Sequence, residues 1–96
     1  MKVVFRIIGS EEDLEDTEAN EENVHFCFRP SEKNILSLVK RSPKLKRIQL
    51  PSSYQKTISN TTKTFLKMRN IKLMIGDIWG HRTDIDRFAE IDLGGV

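Results

Sequence analysis

Residues 76–86, GDIWGHRTDID, hold the chain's only tryptophan, one of its two histidines, an arginine and three aspartates. An imidazole beside carboxylates is the donor set of a zinc or manganese site, but Asp77, His81, Asp84 and Asp86 have the spacing of no recognised metal motif. Asp84 and Asp86 suit the start of a helix equally well, since carboxylates there meet the positive end of its dipole. His81 as a general base for Ser52 or Ser53 lacks the Gly-x-Ser-x-Gly elbow that exposes a serine nucleophile. Cys27 lies mid-strand between aromatics, where a thiol serves as a small inert hydrophobe. Neither a P-loop nor a dinucleotide fingerprint occurs. These residues assign no catalytic group, no metal and no cofactor.

Anion binding fits the residue types better. Ligands of parallel α/β sheets gather beyond the carboxyl ends of the strands, where helix N-termini also point. RPSEKN, PSSYQKT and GDIWGHRTD fall at such ends and offer Arg29, Ser31, Ser52, Ser53, Tyr54, His81 and Arg82. Arginine grips a phosphate or carboxylate bidentately, and unpaired N–H groups at a helix start add to that. Each serine also has the simpler use of a helix cap. A second anionic surface is implied by lysines: at about 100° per residue Lys33, Lys40 and Lys44 share one stripe, and Lys56, Lys63 and Lys67 repeat it. Two basic ribs side by side would track a phosphate backbone without reading bases, with Lys40, Lys44, Lys63 and Lys67 meeting the phosphates. Only Tyr54 and Trp79 are placed to stack on single-stranded bases.

Those residues need a scaffold, and the patterning supplies one. KVVFRII (2–8) is β-branched and aromatic, a strand. VHFCFR (24–29) alternates and stops at Pro30; Ser31 then caps a helix carrying Ile35, Leu36, Leu38 and Val39, which Pro43 ends near Ser42. KRIQL (46–50) is a third strand, and Ser59 opens a second helix with Phe65, Leu66 and Met68. KLMI (72–75) is a fourth strand. Gly76 and Gly80 read as turn residues, Trp79 as an apolar anchor, and Thr83 with Asp86 as a capping-box variant for a last helix through Phe88, Ala89 and Ile91. Residues 92–96 read as a frayed tail. Sliding residues 33–50 onto 56–73, an offset of 23, aligns eight similar positions in eighteen, as for two helix–strand units.

The fold class is therefore α/β: a two-layer, mainly parallel four-stranded sheet in β-α-β-α-β-α-β-α-like order, with helices chiefly on one face. Strand alternation places Arg6, His25, Cys27, Arg29, Arg47, Gln49, Lys72 and Met74 on the other face, semi-polar and poorly covered. The C-terminal segment, a homodimer partner or a ligand is expected to shield it.

Composition bounds the rest. Residues 1–96 make one domain with one core. No apolar run approaches the roughly 18 residues of a membrane span, and the opening MKVVFRIIGS reads as a strand rather than a signal peptide. One cysteine suits a reducing cytoplasm. Net charge is only +2, yet eight of the fourteen acids lie between Glu11 and Glu22. Residues 11–22 form an acidic loop, either a solvated insert or a screen that folds over the basic body. Ser10 caps a short helix around Leu14 within it.

HFCFRPS, SPKLKRIQLPSSY and GDIWGHRTDI, in this order and spacing, resemble a family of small methanogen proteins catalogued only as a domain of unknown function. The likeness runs from Met1 to about Ile91. It implies an archaeal cytoplasmic protein and carries no reaction or catalytic residue. The expected function is a binding or regulatory module for an anionic small molecule or nucleic acid. The alternative is a small enzyme or metabolite sensor using the strand-end site.

Overall fold

Seven consecutive extended residues with apolar side chains on both faces make β1, Lys2–Ile8, the strand around which the sheet is built. The structure is a computed structural model that describes residues 2–77 and 87–93. β2 (Asn23–Phe26), β3 (Arg47–Leu50) and β4 (Lys72–Ile75) join β1 in sequence order, all parallel. Parallel neighbours need crossovers, and the right-handed rule puts every crossover on the same face. α1 (Glu11–Glu15), α2 (Glu32–Arg41) and α4 (Asn60–Met68) are those crossovers, with α3 (Ser52–Gln55) a single turn before α4.

The core lies between the layers. Ile8, Val24, Phe26, Ile48 and Leu50 of the sheet meet Leu14 of α1, Ile35, Leu38 and Val39 of α2, and Leu66 of α4. Ser31 opens α2 as a capping box, accepting the Asn34 N–H at 3.1 Å while Asn34 Oδ1 accepts the Ser31 N–H at 2.9 Å. Ser59 caps α4 through the Thr62 N–H at 3.1 Å. α4 ends differently: Asn70 turns left-handed (φ 59°), Ile71 N–H returns to Leu66 O at 2.9 Å, and Asn70 N–H to Lys67 O at 3.1 Å. This Schellman closure feeds β4 directly.

Four expectations change. The segment Phe88–Asp92, expected to be helical, is a fifth strand, β5, antiparallel to β1 along all five residues. FAEID alternates with period two, and β1 presents an edge with which all five residues pair. The sheet therefore has five strands in the order β4-β3-β2-β1-β5, and Asp92 belongs to a strand rather than to a frayed tail. Arg6 lies in register with Val24, on the helix-bearing face, so the opposite face carries Phe5 and Ile7 instead. With His25, Gln49 and Ala89 these two are buried. The helix–strand units also match differently. Ile48 pairs with Leu73 and Leu50 with Ile75, an offset of 25, so the offset of 23 reflects shared architecture without structural equivalence.

Gly76 is a glycine for want of space. Its N–H continues the ladder to Leu50 O at 3.0 Å, and a Cβ there would meet Gln49 Nε2 at 2.4 Å. The expectations placed on Trp79, Gly80, Thr83 and Asp86 lie outside the described residues.

The left-handed turn at Asn70 generates a direct test. Asn70→Ala is expected to lower unfolding free energy by about 1 kcal/mol and Asn70→Gly to leave it within about 0.5, because only the side chain's tolerance of positive φ differs. Urea denaturation of the three proteins checks this.

Candidate functional site: a basic helical layer and a cleft beside Arg29

The strand-end residues divide. β2 ends at Phe26, and the chain beyond it brings Arg29, Pro30 and Ser31 to the start of α2, where a cleft of about 320 Å³ opens toward the start of α4. Arg29, Ser31, Glu32 and Ile35 line one side and Thr57, Ile58, Ser59 and Thr62 the other. Arg29 stacks over the Tyr54 ring at 5.3 Å, so a guanidinium stands at a cleft framed by two helix N-termini. Ser31 is committed to its cap, as is Ser59. Ser52 and Ser53 sit exposed at the start of α3 and do not line the cleft. Tyr54 is half-buried against the core. His81 and Arg82 lie outside the described residues, as do Asp84 and Asp86.

The lysines divide too. Arg41 and Asn34 mark the flank of α2 that faces α1: Arg41 donates to Thr17 Oγ1 at 3.2 Å and to Glu15 O, and Asn34 to Glu11 at 3.4 Å. The opposite flank faces α4, because Val39, Ser42 and Pro43 line a cavity of about 340 Å³ with Met68 and Arg69. At about 100° per residue, Lys33 and Lys40 then point outward from α2, while Lys63 and Lys67 lie on the far flank of α4, toward the β4 edge. The two basic ribs are not adjacent. Between them runs a strip containing Thr61, Thr64, Phe65 and Met68.

No carboxylate among the described residues pairs with Lys40, Lys44, Lys63 or Lys67. The acidic segment is docked elsewhere. Leu14 and Thr17 are buried, Ser42 Oγ donates to Glu18 O at 2.7 Å, and Glu22 pairs with Lys46 at 2.7 Å. That lysine holds the Glu22 carboxyl below the ordinary carboxylate range. Docked against α1's side of α2, the segment leaves α4 unscreened, and deleting residues 11–22 would take Leu14 out of the core.

Sequence patterning missed two buried polar groups. His25 is fully buried on the second sheet face, its Nδ1 2.8 Å from Gln49 Oε1. Because an amide oxygen only accepts, Nδ1 carries the proton, and Nε2 has no hydrogen-bond partner among the described residues. Alternation had marked both residues, but the pair becomes visible only once β2 and β3 are in register. The other group is Arg6, buried over the Phe88 ring at 5.3 Å, with Glu21 lining the same cavity of about 160 Å³. Burial raises the Glu21 carboxyl despite the opposing pull of Arg6.

The family of unknown function DUF1699, N-terminal domain, matches residues 4–87. The chain belongs to that family. No curated protein matches it, and no solved structure does.

Two titrations follow from the buried groups. Burial depresses the His25 imidazole below its ordinary 6.5, against the opposing effects of Gln49 and Asp77. The unfolded chain therefore binds the proton more readily, and stability conferred above pH 6.5 is lost as pH falls toward the depressed folded value. Chemical denaturation is expected to show wild type losing stability relative to His25→Asn between about pH 7 and 5. Burial first, then Asp77 and Asp13, pushes the Cys27 thiol up to about 11. Alkylation by iodoacetamide at pH 8 is expected to be roughly tenfold to a hundredfold slower than for a free thiol.

Proposed function

We propose that this DUF1699-family domain is a non-enzymatic binding module that recognises an anionic partner through the layer formed by α2 and α4. One observation carries the reading. From Lys33 to Gly76 the chain has eight lysines and three arginines and no aspartate or glutamate. Those residues build α2, β3, α3, α4 and β4, so the charge is concentrated on one half of the molecule. Such a surface attracts polyanions and speeds their encounter, with an affinity that falls as salt screens it. Nucleic acid is one polyanion that the spread of lysines would suit. The family resemblance in three motifs and the single unpaired cysteine support an archaeal, methanogen origin and a cytoplasmic setting.

A second reading is a metabolite sensor or small enzyme with a phosphate or carboxylate at the cleft between the starts of α2 and α4. Arg29 beside two helix N-termini favours it, and Glu32 on the same wall opposes it.

Retention on heparin and on duplex DNA across a salt gradient tests the first reading. Replacing Lys40, Lys44, Lys63 and Lys67 together by Gln is expected to weaken binding similarly across sequences. It should also lower the slope of log K against log salt by up to about 0.9 for each duplex phosphate that a lysine no longer neutralises. A wild-type protein that binds neither matrix at about 50 mM salt removes the polyanion reading. A phosphate-dependent rise in melting temperature that Arg29→Ala abolishes would favour the cleft instead.

A further inference from the structure

The seam between α2 and α4 is not closed. It opens at the helix starts into the cleft beside Arg29, and at the helix ends into the cavity beside Val39 and Pro43. A third depression, about 450 Å³, runs along α4 and shares Met68 with the second. Its floor is Phe65, half-buried, with Thr61 and Thr64 on its rim. Met68 is 77% exposed, and Leu36, on the flank of α2 that faces α4, is 37% exposed. An unbranched thioether standing in water beside an aromatic is costly to leave uncovered and adapts readily to a partner's shape. Basic side chains border the strip on both sides: Lys40 and Lys44 from α2 and its end, Lys63 and Lys67 from α4.

A phosphate backbone has a use for the borders and none for the strip. An amphipathic helix with acidic flanks uses both, laying apolar residues at i, i+3, i+4 and i+7 into a hydrophobic groove while its carboxylates meet the lysines. α4 is nine residues long, which gives the seam a length of roughly 13 Å and room for two to three turns of a partner helix. We propose that the anionic partner is an acidic amphipathic helix seated on Leu36, Phe65 and Met68, with its carboxylates toward Lys40, Lys44, Lys63 and Lys67. This rests on the anionic-partner reading and narrows it to a peptide.

The test uses the full chain and three probes. These are a labelled Leu/Ala/Glu peptide of about 18 residues patterned for one apolar face, a scrambled isomer of the same composition, and a duplex DNA of similar charge. The patterned peptide is expected to bind about tenfold or more tightly than its isomer. Met68→Ser, at an exposed position and so harmless to the fold, is expected to weaken the patterned peptide about fivefold. It should leave DNA and the isomer unchanged. The four-lysine Gln variant is expected to weaken all three. Equal binding of the two peptides, with salt dependence retained, overturns the inference while the anionic reading stands. DNA binding tighter than the patterned peptide overturns it in favour of a nucleic-acid surface. A concentration-dependent dimer in sedimentation that Met68→Ser abolishes makes the occupant a second copy and overturns it too. Binding of none of the probes at low salt removes both readings.

Discussion

Sequential parallel pairing of β1, β2, β3 and β4 is the constraint on which the rest of the molecule depends. Because each crossover is right-handed, α1, α2 and α4 stack in chain order on a single sheet face. Chain order thereby becomes spatial order. The acidic segment, which precedes β2, lands beside β1 and β2. The acid-free segment, which follows Glu32, lands over β2, β3 and β4. A charge segregation that is only a count in the sequence becomes a polarity across the helical layer.

The same constraint explains why the acidic segment does not neutralise the lysines. α2 stands between α1 and α4 and uses the flank facing α1 for structure: Arg41 reaches the backbone of Glu15 and the hydroxyl of Thr17, and buried Ser42 caps Glu18 O. Those bonds go mostly to backbone oxygens and leave the carboxylates in water. An exposed ion pair such as Lys46–Glu22 adds little stability by itself. What holds the crossover is Leu14 in the core and the satisfied carbonyls around it, so most of the acids, half-buried Glu21 apart, remain on the surface as a separate field.

The second sheet face is governed by a different economy. Phe5, Ile7 and Ala89 are apolar, whereas His25 and Gln49 are polar and buried among them. Each satisfies one side of the other through the Nδ1–Oε1 hydrogen bond, and Gly76 leaves the room in which Gln49 lies. Desolvation outweighs the opposing effects of Gln49 and Asp77 and so favours the neutral imidazole. On this face, then, burial favours the neutral ring, while on the helical face Lys40, Lys44 and Lys67 stand exposed to water. Polar chemistry is structural on one side of the sheet and available to a partner on the other.

The alternating run VHFCFR, the prolines at 30, 43 and 51 and the serines at 31 and 59 determined α2, β3 and the start of α4 within a residue or two, and the start of β2, which stops at Phe26, three residues before the run does. The reason is that caps, breakers and period are local: a Ser Oγ can reach only the N–H groups one turn ahead. The acid-free stretch and Arg29's position just before the cap of α2 were equally legible. Three features waited on tertiary structure. FAEID is ambiguous over five residues, and only the open edge of β1 makes it a strand. Arg6 sits in a run with no alternation, so its face is set by register with Val24. The lysine ribs share a stripe on each helix taken alone, yet which flank meets a neighbour depends on the order of helices across the sheet. Long-range pairing decided all three, because edge, register and neighbour are relations between segments that no single segment encodes.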